Sequence, residues 1–146
     1  MTFTPAVDRY PGRLFGVQES LSESYPATPA AVPAARHAVG DYAVVAGAGP
    51  DQLDAIRLAV SEAVTNAVKH AYPDGGGEIH MTAAALDGEL WILVADEGVG
   101  VHTPTQDPGL GLGLALIADA CEEFVITERA EGGTEARMRF VFGDAD

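Results

Sequence analysis

The run from Asp51 to Tyr72 narrows most sharply what this chain can fold into. Its apolar residues Leu53, Ile56, Ala59, Val60, Ala63, Val64, Ala67, Val68 and Ala71 recur at steps of three and four. That is the pattern of a helix with one apolar face. Along its flank, steps of four stack Glu62, Asn66 and His70, and Lys69 lies beside them, three residues beyond Asn66. A carboxylate, an amide and a basic group in this arrangement are either a solvated face with an incidental ion pair or the wall of a site. Two glycine-rich stretches later in the chain bear on that choice.

The rest of the chain frames this helix. Residues 1–20 contain Pro5, Pro11, Gly12 and Gly16 without a clear period and read as an N-terminal arm or tail. Phe3, Tyr10, Leu14, Phe15 and Val17 are apolar enough for that arm to dock on the body or on a second subunit. Residues 21–146 read as one domain. A short strand is expected over Leu21–Tyr25, then a helix from Thr28-Pro29 to about Ala46, with Thr28 as its cap. Gly47–Pro50 is a break, Asp51 is expected to cap the central helix, and Tyr72-Pro73 to end it. Strands follow over Glu78–Leu86 and Glu89–Ala95, joined by the hairpin pair Asp87-Gly88. After the polar connector Val101–Pro108, a third helix opens at Gly109 and reaches about Ala120. Two last strands, Glu123–Arg129 and Thr134–Phe142, flank a turn at Glu131–Gly133. The order is that of an α+β fold: a two-layer sandwich of a mostly antiparallel sheet with helices on one face.

Composition removes several classes of function. The formal charge of −14 argues against nucleic acid and anionic membrane surfaces as partners, and leaves basic proteins open. No apolar run approaches the roughly 20 residues of a membrane span. The N-terminus lacks the basic start and apolar core of a signal peptide, so the expected location is cytoplasmic. Cys121 is the single cysteine, which excludes an internal disulfide, and it reads as a small packing residue. No Lys or Arg lies between Lys69 and Arg129. A phosphate bound by the middle of the chain therefore needs a metal ion, backbone amides or Lys69 to neutralise it.

Asp96-x-Gly98-x-Gly100 directly follows an apolar strand. The glycines allow a ligand close to the backbone, and a buried carboxylate can accept a hydrogen bond from an amine such as that of adenine. A plain glycine-rich turn would read the same way. Gly109-Leu110-Gly111-Leu112-Gly113 at a helix start offers closely spaced amides at the positive end of a helix dipole. It has neither the spacing of a P-loop nor the position of a dinucleotide fingerprint, and a glycine-rich hinge would read the same way. On the helix flank, Asn66 can give oxygen to Mg²⁺ and Glu62 can act as a general base. Lys69 is either the local cation for phosphates or a solvated residue, and His70 suits packing or hydrogen bonding at the helix end.

Taken in order, Glu62-x-x-x-Asn66, Asp96-x-Gly98-x-Gly100, Gly109–Gly113 and Gly133-Thr134 resemble the Bergerat-fold ATP-binding domain of gyrase, histidine kinases and mismatch-repair ATPases. The wording Glu62-Ala-Val-Thr-Asn-Ala-Val-Lys-His-Ala-Tyr-Pro73 is similar to the bacterial anti-sigma-factor serine/threonine kinases, and the resemblance covers about Leu21 to Phe142. It implies ATP and Mg²⁺ as cofactors, Asn66 as Mg²⁺ ligand and Glu62 as catalytic base. It implies Asp96 as acceptor from the adenine amine, aided by Thr134 through a water. Gly98 and Gly100 would shape the adenine pocket, and Val101–Pro108 would form the lid. Gly109, Leu110, Gly111, Leu112 and Gly113 would wrap the phosphates, which Lys69 would touch.

The activity implied is that of a serine/threonine protein kinase. It would sequester a sigma factor or similar regulator and phosphorylate an anti-sigma-factor antagonist. A homodimer is also implied by the resemblance. The lid contains no Lys or Arg, and phosphoryl transfer depends on charge neutralisation. The alternative is therefore a nucleotide-binding regulatory module that sequesters a protein partner with little or no kinase activity.

Overall fold

The computed structural model describes residues 19–98 and 108–142, and the backbone alone at 108–111. The expected N-terminal arm up to residue 18, together with Gly100 and residues 101–107 of the connector, lies outside the described residues. Along the chain run β1 (Leu21–Pro26), α1 (Ala31–Ala46), α2 (Pro50–His70), β2 (Glu78–Leu86) and β3 (Glu89–Asp96). Then come α3 (Pro108–Ala120), β4 (Glu123–Glu128) and β5 (Thr134–Val141). The five strands form one sheet in the order β1-β2-β3-β5-β4, and every neighbouring pair is antiparallel.

Strand alternation decides which side chains meet the helices. Ile79, Met81, Ala83 and Ala85 of β2 face inward, as do Leu90, Ile92 and Val94 of β3 and Met138 and Phe140 of β5. Against them pack Ala35, Val39 and Ala43 of α1, Ile56, Val60 and Val64 of α2, and Ile117 of α3. Helix α2 lies between α1 and α3 and touches both β2 and β3. The expected two-layer α+β sandwich is thus the observed one. Cys121 is buried, and burial pushes its thiol up, so it packs as a small apolar residue.

The helix starts differ from their expected places for identifiable reasons. Thr28 does not cap α1: the amides of Ala31 and Val32 donate to the carbonyls of Thr28 and Pro29, so these residues form a turn before the helix. The cap position is Ala30, with no side-chain hydrogen bond. Asp51 does not cap α2 either. Gly49 is the cap residue, its N–H donates to Gln52 Oε1 at 2.8 Å, and Pro50 takes the first helical position. Asp51 sits inside the first turn, where its charge favours the positive helix end. The hairpin between β2 and β3 forms at Asp87-Gly88, both with positive φ (55° and 79°).

Just past α2, Tyr72 joins three separated segments. Its hydroxyl donates to the carbonyl of Glu78 at 2.6 Å and accepts from the amide of Glu97 at 2.8 Å. The end of α2, the start of β2 and the end of β3 therefore share one side chain. A Cβ at Gly77 would run into the Tyr72 ring, so glycine is needed there for close approach. Tyr72→Phe is expected to lower unfolding free energy by about 1 kcal/mol, because two backbone groups lose a partner at a solvent-accessible site. Urea denaturation followed by circular dichroism checks this, with a lowered midpoint and an unchanged slope as the expected result.

Candidate nucleotide site

Inward alternation on β3 continues past Val94 and places the next inward residue, Asp96, under the helices. It is 6% exposed. Register sets Thr134 of β5 directly opposite Asp96, so the two side chains share the inward face. The amide of Gly98 donates to Asp96 Oδ1 at 3.0 Å. Burial pushes the Asp96 carboxyl above its ordinary value, against the opposing pull of the Gly98 and Thr134 amides and the Arg129 charge. A carboxylate in this setting needs a hydrogen-bond donor on its free edge.

Around it opens a pocket of about 410 Å³, continuous with solvent. Its α2 wall is Ala63, Asn66, Ala67 and Ala71, and its sheet floor includes Val94, Asp96, Thr134 and Ala136. Leu114 and Ile117 of α3 and Phe124 and Ile126 of β4 close the sides. Two polar groups end there without a partner: Asn66 Nδ2 and Thr134 Oγ1 are buried and make no hydrogen bond among the described residues. Buried polar groups are normally satisfied, so these two, beside the partly satisfied Asp96 carboxylate, make this apolar opening a candidate ligand site.

Asn66 lines this pocket and Glu62, one turn back, does not, but both side chains approach α3 at Gly113. The Cβ of an alanine at Gly113 would stand 3.4 Å from both Asn66 Oδ1 and Glu62 Oε2. The absence of a side chain there leaves room above both groups. Gly109, Leu110 and Gly111 lie in the first turn or so of α3, not in a loop before it. Amides in that turn lack a carbonyl one turn back to which they can donate. Leu112 is exposed. Lys69 is exposed and does not line the pocket, while His70, at the end of α2, is partly buried. Gly98 is pressed against the carbonyl of Ala71, where any Cβ would collide. Gly100 lies outside the described residues.

Among the described residues, no group of three or more His, Cys, Asp or Glu side chains could hold a metal ion. The donor set at the α2–α3 crossing is an amide beside a carboxylate. That set fits a hard cation held by one protein oxygen and otherwise by ligand oxygens and water, as Mg²⁺ is commonly held.

Several contributors were not singled out in the sequence. Ala63, Ala67 and Ala71 belong to the buried apolar face of α2 and its end, and their steps of four also make a stripe of small residues along the pocket. Phe124 and Ile126 follow from alternation in β4. Arg129, the first Lys or Arg after Lys69, reaches the main chain of Asp96. Its Nη1 donates to the Asp96 carbonyl at 3.1 Å.

Comparison with known proteins places the fold in a family. Residues 25–140 match the model of the histidine kinase-like ATPase domain. The chain is 31% identical to the anti-sigma F factor of Clostridium acetobutylicum, over 74% of this chain and 83% of that protein. It is 32% identical to the serine-protein kinase RsbW of Bacillus subtilis, over 82% and 84% respectively. Among solved structures, that of the RsbU and RsbW domains of a Mycobacterium tuberculosis protein superposes with a TM-score of 0.68 at 28% identity. The match covers 85% of this chain and 32% of that one. With the match spanning most of its length, and with relatives that are anti-sigma factors and serine-protein kinases, this chain belongs to the histidine kinase-like ATPase domain family.

Proposed function

We propose that this protein is an ATP-dependent serine/threonine protein kinase of the anti-sigma-factor type. On this reading it binds a sigma factor or similar regulator and phosphorylates an antagonist protein. The observation that carries the reading is the single apolar pocket edge shared by Asp96, Thr134 and Asn66, with Glu62 one turn from Asn66.

Asp96 accepts from the exocyclic amine of adenine, and Thr134 lies beside it for a second hydrogen bond on the base edge. Asn66 would be the protein ligand for Mg²⁺, and the amides in the first turn of α3 would receive the phosphates. Bound there, Mg²⁺ supplies the charge neutralisation that phosphoryl transfer requires. Glu62 takes the proton from the substrate hydroxyl as its oxygen bonds to the γ-phosphorus. The bond from that phosphorus to the bridging oxygen breaks, and ADP leaves with the electron pair.

The second reading, a regulatory module that binds nucleotide and sequesters a partner with little transfer, rests on one feature. Residues 99–107 contain no Lys or Arg, and Lys69 stands outside the pocket lining. A phosphotransfer assay with a candidate antagonist separates the two. Under the kinase reading, wild type labels a serine or threonine and Glu62→Ala reduces the rate by about 100-fold or more while still binding ATP. Equal inactivity of both proteins on every antagonist tried would sink the kinase reading.

Asp96 also yields a prediction on the nucleotide-free protein. Its folded-state pKa is raised, so its contribution to stability is full below the ordinary value of 3.8 and is lost as pH rises through the raised value. Asp96→Asn removes that ionisation and keeps an oxygen for the Gly98 amide. The thermal midpoint at neutral pH is expected to rise, while calorimetric titration shows ATP binding weakened by about tenfold or more. Gly113→Ala separates fold from site in the same way. Alanine gains up to about 1 kcal/mol of helix propensity over glycine. Its methyl group, however, occupies the space above Asn66 and Glu62. Thermal stability unchanged or raised, with magnesium-dependent ATP binding weakened about tenfold, is the expected pair of results.

A further inference from the structure

Beside Asp96, the turn between β4 and β5 closes against the end of β3, with Arg129 and Gly133 outside the pocket lining. The amide of Arg129 donates to the Gly133 carbonyl and that of Gly132 to the Arg129 carbonyl, each at 3.0 Å. Gly133 has φ near +100°, and a Cβ there would strike the Asp96 carbonyl oxygen. The turn is thus pressed onto the main chain at Asp96. From it the Arg129 side chain, 26% exposed, donates Nη1 to that same carbonyl at 3.1 Å. Its contact with Glu131, at 3.9 Å to a side chain 85% exposed, adds little. Arg129 does not line the pocket.

We infer that Arg129 is a positioning residue for base recognition: from outside the pocket lining it holds the carbonyl of Asp96 and thereby sets the carboxylate toward the bound base. The choice of acceptor matters. An arginine paired directly with the carboxylate would occupy the oxygens that a base amine needs. Bonded to the main-chain oxygen, it fixes the strand end and leaves one carboxylate edge for the ligand. Its positive charge still acts on Asp96 and opposes the effect of burial. Selectivity for a base that carries an exocyclic amine follows, because a carboxylate held in place rejects a carbonyl at the same position.

This inference rests on Asp96 as the base acceptor, and the test keeps the two apart. Calorimetric titrations compare ATP with inosine triphosphate, which has a carbonyl in place of the amine, on wild type, Arg129→Met, Arg129→Lys and Asp96→Asn. Wild type is expected to favour ATP by about tenfold or more. Arg129→Met should cut that ratio severalfold, mainly by weakening ATP, and Arg129→Lys should restore at least half of it. Combined with Asp96→Asn, the methionine variant should lower the ratio no further. A wild type without discrimination would remove Asp96 from base recognition and this inference with it. Discrimination in wild type that survives in Arg129→Met, or equal weakening of both nucleotides, would overturn the role of Arg129 alone. Should Arg129→Met not fold, Arg129→Gln is read in the same way. Failure of both to fold would make Arg129 a structural residue and end the inference.

Discussion

A carboxylate turned into the apolar layer is the constraint on which the rest of this structure depends. Alternation along β3 gives Asp96 no choice of face once Leu90, Ile92 and Val94 fill the core. Its burial is unfavourable alone, and three segments converge to offset the cost. The Gly98 and Thr134 amides supply hydrogen bonds, and the turn after β4 brings the charge of Arg129. Close approach requires glycine at two points: Gly98 lies against the Ala71 carbonyl and Gly133 against the carbonyl of Asp96 itself. Tyr72 then ties the end of α2 to the residue after Asp96. Helix end, strand end and turn are held together around one side chain, and a ligand that satisfies it completes the arrangement.

Helix α2 divides its apolar face between core and site. Ile56, Val60 and Val64 are fully buried and fill the space over the sheet. Ala63, Ala67 and Ala71 turn toward the pocket and leave it open. Alanine keeps helix propensity high while removing the volume a larger side chain would fill. The resulting gap forgoes packing contacts that a closed core would gain. Such a sacrifice is common where a binding site is built into a folded layer. On the adjacent flank, Glu62 and Asn66 follow at a step of four, so the rigid helix sets their separation without a loop.

Periodicity made most of the elements legible, because helix and strand patterns are local and repeat many times within each segment. The hairpin at Asp87-Gly88 was equally plain, since a two-residue turn with positive φ has few possible sequences. Helix starts were less so. Thr28 and Asp51 have cap chemistry, but the backbone turn at Pro29 and the Gly49–Gln52 hydrogen bond displaced both. Within the site, Glu62 and Asn66 could be paired from spacing alone. Asp96 and Thr134 are neighbours because β3 pairs with β5, two strands separated by a helix and another strand. Spacing carries no record of that register, and the pairing was expected only through resemblance. Tyr72 and Arg129 left no pattern at all, since both act on main-chain atoms whose identity no side chain advertises.

The two ends of the pocket are provided for unequally. On the proposed reading, the base end has a buried carboxylate, a hydroxyl, an apolar lining and an arginine on the Asp96 carbonyl. The phosphate end, on the same reading, has Asn66, Glu62 and the opening turn of α3, with Lys69 exposed and no Lys or Arg from 99 to 107. In a chain of net charge −14, this imbalance works against several phosphate charges. On the proposed reading, the base end therefore carries affinity and the phosphate end depends on the cation and helix amides. Those neutralise charge only when the triphosphate sits close to α3 and Asn66. The rate of transfer then follows from how the lid and a bound protein partner arrange that end, and nucleotide affinity alone is a poor measure of it.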